Sequence, residues 1–156
     1  MPVTSAGVLL HRRGPAGPEV LLVHPGGPFW AKKDEGAWSI PKGECEPGEE
    51  PRARAVVEFA EELGSPLPED AELAELGTVR LKSGKTVVAF ACAGDLDPAT
   101  VRSNTFEVEW PPRSGRRRAF PEVDRAEWFG PEEARRRLNP AQAVLVDRLL
   151  EHLGAG

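Results

Sequence analysis

The sequence contains few cysteines and no long apolar run, and each absence excludes a class of protein. Its two cysteines, Cys45 and Cys92, lie far apart and outside any C-x-x-C motif. This spacing argues against a disulfide framework and against a cysteine-based zinc site. No segment approaches the roughly 18 apolar residues of a membrane span, and no basic and apolar signal segment is found at the N-terminus. We therefore expect a cytoplasmic protein with no membrane contact.

The sequence also has no excess of positive charge. It contains 20 Lys and Arg residues against 25 Asp and Glu residues, which gives a formal net charge of −5 at pH 7. Non-specific binding to nucleic acid needs a basic surface, so we expect no nucleic-acid partner. A small phosphorylated ligand remains compatible, because a local cluster of cations is sufficient to bind it. The length fits one domain over residues 1–156, and no repeat or linker indicates a boundary.

Acidic residues are concentrated in residues 43–65, which read GECEPGEEPRARAVVEFAEELGS and contain seven carboxylates. Pro51 suits the first position of a helix, and Gly64 suits the left-handed residue that ends one. The pattern therefore predicts a helix of about thirteen residues between them, with an apolar stripe on one side.

Three glutamates, Glu58, Glu61 and Glu62, would lie on one face of this helix. Their mutual repulsion would become attraction if a divalent cation bound between them. Carboxylate oxygens with no Cys or His beside them favour a hard ion, and we predict Mg²⁺ or Mn²⁺.

At these residues the stretch resembles the Nudix box, the signature of the Nudix hydrolases, written G-x5-E-x7-R-E-U-x-E-E-x-G-U with U an apolar residue. The matching positions are Gly43, Glu49, Glu58, Phe59, Glu61, Glu62 and Gly64. Val57 occupies the arginine position and Ser65 the final apolar position. In the family that arginine braces the first box glutamate and orients the catalytic ones. Arg54, one turn earlier on the helix, is a candidate substitute.

The resemblance implies metal-assisted hydrolysis of a diphosphate linkage in a nucleoside diphosphate joined to a variable group X. The implied metal ligands are the Gly43 carbonyl and the carboxylates of Glu58, Glu61 and Glu62. Glu61, Glu62 or Glu122 would accept the proton of the attacking water. Glu122 lies in a loop before a strand, together with Asp124. Either residue could supply an additional acid to the site or be only a turn residue.

Two segments outside the box contain candidates for substrate binding. The loop at residues 26–33 lies ahead of the box. In it, Trp30 or Phe29 could stack on a base, and Lys32 or Lys33 could contact a phosphate. The alternative is a surface loop with one buried aromatic anchor. Lys42 is a further phosphate candidate, because it directly precedes the box.

The second segment, residues 110–118, is the one dense basic cluster. There Trp110 and Arg116 could contact a nucleobase or a polyphosphate, since guanidinium groups bind phosphate in a bidentate way and stack on rings. The alternative is a solvated face.

Short β-prone runs alternate with a few helices along the chain. We predict strands at residues 4–11, 19–24, 38–40, 73–81, 86–93, 105–110 and 125–129. Besides the box helix, we predict helices at residues 131–138 and from residue 140, with Asn139 as the N-cap. This pattern favours a mixed sheet covered by helices on both sides. The resemblance implies the same α/β fold, a Nudix-type α/β/α sandwich.

The box does not specify the group X. The loop at residues 36–44 is similar to that of Nudix members that act on nucleoside triphosphates or dinucleoside polyphosphates. We expect a (deoxy)nucleoside triphosphate pyrophosphohydrolase, with a dinucleoside polyphosphate hydrolase as the alternative. A catalytically weak nucleotide-sensing module is a third hypothesis, which Val57 alone motivates and the retained box glutamates oppose. Nudix proteins often form dimers, so we also consider a homodimer.

Overall fold

The structure, a computed structural model, describes residues 3–154. Its strands are β1 Thr4–Gly14, β2 Gly17–Pro25, β3 Lys42–Glu44, β4 Ala74–Arg80, β5 Thr86–Ala93, β6 Thr105–Glu109, β7 Arg117–Pro121 and β8 Val123–Phe129. Its α-helices are α1 Pro51–Leu63, α2 Pro131–Arg137 and α3 Val144–His152. None of the helices within residues 3–154 has the length and apolar character needed to cross a membrane.

Strand β1 lies at the centre of a six-stranded mixed sheet. Five strands follow the order β4-β5-β1-β2-β8, and the sixth, β3, pairs with β1. Strand β1 pairs in parallel with β5 along one edge. Along its other edge, the N-terminal half pairs with β3 and the C-terminal half with β2, both antiparallel. The short strand β3, which begins the box, is therefore held by the centre of the sheet. Strands β6 and β7 form a separate two-stranded sheet.

Alternating side chains of β1 enter two hydrophobic cores on opposite faces of the sheet. Val8 and Leu10 pack in the core that contains the buried residues of α1. Leu9 packs in the other core, with buried residues of α2 and α3. The sheet thus lies between α1 on one face and α2 with α3 on the other, which confirms the predicted α/β/α sandwich with a mixed sheet.

Helix α1 has the bounds that the sequence predicts. Pro51 begins it, and Gly64, at φ 74°, ends it in the left-handed conformation. Ala55, Phe59 and Leu63 are buried, and they repeat at the four-residue spacing of one helical face. The opposite face is left open to solvent and to the loop that precedes the helix.

The prediction of a strand at residues 38–40 is wrong. The strand lies instead at Lys42–Glu44. Trp38 and Ser39 form only isolated bridges, to Leu138 and Val23 respectively. The Ile40 N–H donates to the Gln142 side chain at 3.0 Å instead of to a neighbouring strand. The apolar pattern of this segment therefore reflects burial in a loop.

Two further predictions need correction. Strand β7, Arg117–Pro121, is a strand that the sequence did not predict, and it begins in the last two residues of the basic cluster. Most of its side chains are exposed, so no apolar alternation indicates a strand. The helix predicted from residue 140 begins with a 3₁₀ turn, Pro140–Gln142, and α3 starts only at Val144. Asn139 does act as a cap, since its side chain accepts from the Ala141 N–H at 3.0 Å.

The contrast between the two faces of α1 can be tested with a pair of substitutions. Phe59 is 1% exposed beneath the box, whereas Val57, two residues earlier, is 42% exposed. We expect Phe59→Ala to lower the free energy of unfolding by about 3–5 kcal/mol, because it opens a cavity in the core. The matched control Val57→Ala should change it by less than about 0.5 kcal/mol. Urea denaturation measures both, and equal losses would contradict this packing.

Candidate active site

The Glu58 carboxylate packs directly on the backbone of Gly43. A Cβ atom added to Gly43 would come closer to the Glu58 Cδ than real Cβ atoms approach other heavy atoms. The contact arises because β3 runs beside the first half of β1, and α1 packs across the same strand. The site therefore needs glycine at this position, because the Glu58 carboxylate fills the space that a side chain would occupy.

Arg54 binds two glutamates of the box, Glu49 and Glu58. Its Nε and Nη2 donate to the two carboxylate oxygens of Glu49 at 2.8 and 2.9 Å, and its Nη1 donates to Glu58 Oε1 at 3.0 Å. These hydrogen bonds raise the pKa of Arg54, and the bidentate contact lowers the pKa of Glu49. Arg54 thus makes the contacts that the sequence analysis attributes to the family arginine, while Val57 lies exposed on the helix surface.

Glu62 is a carboxyl group whose charged form is disfavoured by its surroundings. Burial, with the negative charges of Glu58 and Glu122, raises its pKa to about 8, and the Lys42 ammonium opposes the rise. The pKa of Glu122 is also raised, by burial and by Glu58 and Glu61. These mutual effects show that the fold brings the box glutamates and Glu122 into one region.

Lys42 lies next to Gly43 and is partly buried near these carboxylates. Burial lowers its pKa, whereas the nearby carboxylate of Glu62 acts in the opposite direction. The structure therefore places an ammonium group next to the glutamate cluster, as the sequence predicts for a phosphate-binding lysine.

The donor set of this region fits a hard cation. The charges of Glu58, Glu62 and Glu122 act on one another, and a cation would relieve their repulsion. Within residues 3–154, no three Asp, Glu, His or Cys side chains already converge closely enough to enclose an ion. One oxygen of Glu58 is bound by Arg54.

The loop at residues 26–33 begins beside Glu122. The Gly26 N–H donates to the Glu122 carbonyl at 2.9 Å, and a Cβ atom at residue 26 would collide with the Pro121 carbonyl oxygen. Trp30 is 40% exposed, with the Lys33 ammonium 5.1 Å from its ring centroid. Phe29 is more exposed still, so neither ring is a buried anchor. Lys32, the phosphate candidate that the sequence predicts in this loop, is exposed.

Trp110 and Arg116 lie at the tip of the hairpin formed by β6 and β7, where the Trp110 N–H donates to the Arg116 carbonyl at 2.9 Å. Strand β7 separates them from Glu122 by about 20 Å at the usual rise per residue. Phe29 contacts Trp110 edge-to-face, with ring centroids 5.9 Å apart. The two predicted segments therefore meet through this aromatic pair, although the hairpin tip lies at a distance from the carboxylates.

Asp124 does not join the carboxylate cluster in the way that the sequence analysis considers. Its Oδ1 lies 2.8 Å from Nδ1 of His24, a residue that is 1% exposed at the end of β2. Of the two acids predicted near the site, only Glu122 faces the box glutamates. A histidine at a strand end was the only signal of this pair in the sequence, since its partner is 100 residues away.

Comparison with known proteins identifies the family. A model of the NUDIX domain matches residues 1–149, so this chain belongs to the Nudix family. A search of curated proteins finds no match.

Solved structures from the same family resemble the fold over almost the whole chain. A Caenorhabditis elegans Ap4A hydrolase in a binary complex aligns with a TM-score of 0.70 and 19% identity, over 97% of this chain and 99% of its own. The NUDIX domain of Shewanella oneidensis NrtR, complexed with ADP ribose, has a TM-score of 0.63 and 15% identity, over 98% and 89%. A MutT protein from Methanosarcina mazei Go1 has 0.62 and 18%, over 97% and 96%. At these identities the likeness establishes the fold alone.

The contacts of Arg54 generate a prediction about catalysis. Arg54→Ala removes three hydrogen bonds and frees Glu58 from its position beside Gly43. We expect the turnover number to fall at least about tenfold, equivalent to 1.4 kcal/mol of barrier. Steady-state kinetics measure the loss, and circular dichroism checks that the variant is folded.

A second-site substitution provides the matched control for Arg54→Ala. Val57→Arg alone should leave activity nearly unchanged, because Arg54 already holds the glutamates. Combined with Arg54→Ala, it should recover part of the lost turnover by supplying a guanidinium from the next turn of the same helix. Full activity of Arg54→Ala would show that the glutamates need no arginine.

The raised pKa of Glu62 predicts how the metal-free protein responds to pH. A folded-state pKa of about 8 exceeds the ordinary value of 4.5, so between these values the folded chain holds a proton that the unfolded chain has lost. Stability therefore falls as the pH rises through this window. Urea denaturation in EDTA at pH 5.5 and pH 8 should show the loss, and Glu62→Gln should remove most of it. The control Glu69→Gln, at an exposed position, should keep it; a wild-type slope in Glu62→Gln would contradict the assignment.

Proposed function

We propose that the protein is a metal-dependent Nudix pyrophosphohydrolase that cleaves a diphosphate linkage, with a (deoxy)nucleoside triphosphate as its leading substrate. The observation that carries the proposal is the Glu58 carboxylate packed against Gly43, with Glu62, Glu122 and Lys42 near enough for their charges to interact. Membership in the Nudix family supports the hydrolytic chemistry in general. The products would be a nucleoside monophosphate and the remaining phosphorylated group.

The carboxylate cluster would hold the catalytic ion. The Gly43 carbonyl with Glu58, Glu61 and Glu62 would bind Mg²⁺ or Mn²⁺. When bound, such an ion neutralises charge on phosphate oxygens and lowers the pKa of a coordinated water. Arg54 keeps Glu58 oriented toward Gly43 and away from alternative rotamers.

Proton acceptance falls to a carboxylate of the same cluster. The pKa values of Glu62 and Glu122 are raised toward neutrality, which is the range in which a general base works best. Glu61 is the third candidate, since it lies on the exposed side of the same helix. The Lys42 ammonium would contact a phosphate oxygen and stabilise the charge that develops on it.

Recognition of the nucleotide is assigned to the loop at residues 26–33, whose first residue binds the Glu122 carbonyl. Trp30 is exposed enough to stack on a base, and Lys32 is exposed and free to meet a phosphate. Trp110 and Arg116, on the hairpin tip, would contact parts of the substrate that are more distant from the cleaved bond.

A dinucleoside polyphosphate hydrolase is the second candidate, and the position of the hairpin tip favours it. Trp110 and Arg116 lie about 20 Å along β7 from Glu122, a distance suited to a second nucleoside rather than to the cleaved phosphates. The likeness to an Ap4A hydrolase is compatible with this alternative. A nucleotide-sensing module is the least supported candidate. Only Val57 suggested it, and Arg54 binds the glutamates that an arginine at residue 57 was expected to hold. A homodimer and a cytoplasmic location stay predictions.

The proposed function can be tested with a release assay at slightly alkaline pH. Nucleoside triphosphates, dinucleoside polyphosphates, ADP-ribose and inositol pyrophosphates are incubated with the protein, with and without Mg²⁺ or Mn²⁺. We expect metal-dependent release from one class, and a loss of about 100-fold or more in Glu58→Gln. The control Glu69→Gln should retain activity. No release from any substrate by folded protein would favour the sensing module.

A further inference from the structure

His24 is fully buried, and both of its ring nitrogens face hydrogen-bond acceptors. Nδ1 lies 2.8 Å from Asp124 Oδ1, and Nε2 lies 2.6 Å from the Lys33 carbonyl oxygen. The ring also packs edge-to-face on Trp38, with centroids 5.3 Å apart. Within residues 3–154, no buried side-chain nitrogen or oxygen lacks a partner, so both contacts count in the hydrogen-bond balance of this region.

The two contacts hold the ring from opposite sides. A carbonyl oxygen can only accept, so Nε2 donates to Lys33. Nδ1 lies within hydrogen-bond distance of the Asp124 carboxyl group on the other side of the ring. The orientation of the buried ring is therefore fixed by two different segments of the chain.

The two acceptors belong to segments that flank the active site. Lys33 ends the loop that contains Phe29 and Trp30. Asp124 follows Glu122 by two residues, at a point where the pairing of β2 with β8 passes from Arg125 directly to Val123. This irregularity leaves Asp124 outside the ladder, with its side chain free to turn onto His24.

We propose that His24 is a positioning residue that, through the contacts of its two ring nitrogens, fastens the end of the aromatic loop to the segment that carries Glu122. The role rests on the proposed function, because the loop is the part of the site assigned to the nucleotide. The start of the loop is fixed separately, by the hydrogen bond from the Gly26 N–H to the Glu122 carbonyl. His24 closes the loop at its other end, so that the exposed rings between are presented at a constant distance from Glu122.

The other charged groups near His24 have partners of their own. Asp34 accepts from Trp38 Nε1 at 2.7 Å and pairs with Arg137. Arg125 lies over the Trp38 ring, 5.2 Å from its centroid, and Lys33 lies over Trp30. Asp124 is the carboxyl group that contacts the His24 ring itself.

The contact with the Lys33 carbonyl can be tested without any substrate. Amide hydrogen exchange of the full-length protein reports how often the end of the loop opens. We expect the residues that follow Lys33 to be protected in the wild type and to exchange faster in His24→Gln. Equal exchange in the two proteins would overturn the proposal. This measurement stays informative even if the release assay fails.

Substitution then tests the positioning role. His24→Gln retains a side-chain donor for one acceptor only, so hydrogen exchange at the Lys33 end of the loop should become faster. With the best substrate of the release assay, KM should rise about tenfold while kcat changes by less than about threefold. The control is His11→Gln, on β1 at the end opposite the pairing with β3, which should alter neither quantity. Unchanged loop exchange and unchanged KM in a folded His24→Gln variant would refute the role, whatever the catalytic activity of the wild type.

Discussion

The close packing of the Glu58 carboxylate on Gly43 is the constraint on which the rest of the active site depends. It requires a residue without a side chain at the start of the box strand and a helix held at one fixed height above that strand. The apolar face of α1 provides the height, because Phe59 is anchored in the core beneath. Arg54 provides the orientation. A local contact between two residues thus depends on the packing of the whole sheet.

The same contact explains the unusual electrostatics of the region. Holding one carboxylate against the backbone brings Glu62 and Glu122 close to it in a partly buried space, where each additional charge costs more than it would in water. Lys42 offsets only part of this cost, since burial weakens its own charged form. Without a bound metal ion, the repulsion is lowest when Glu62 keeps a proton, and its pKa is accordingly raised. A site built in this way favours a ligand of positive charge.

Much of this arrangement is visible in the sequence, and the parts that are not share a physical cause. The bounds of α1 follow from Pro51 and Gly64, and the two-sided core follows from the alternation in β1, because both are local patterns. The loop around Ile40 was mistaken for a strand since its N–H partner, Gln142, is 102 residues away. Strand β7 was missed because an exposed two-stranded ribbon has no buried face to impose a period on its side chains.

The effect of Val57 at the arginine position of the box depends on which other side chains reach the glutamates. Val57 in place of arginine suggests a weakened site when the box is considered as a pattern of letters. The structure shows that a guanidinium reaches Glu49 and Glu58 from Arg54, three residues earlier on the same helix. What the chemistry requires is a bidentate donor at a given point in space, and neighbouring turns of a helix can both supply it. The retained glutamates, and not the missing letter, therefore carry the greater weight in assigning this chain an enzymatic function.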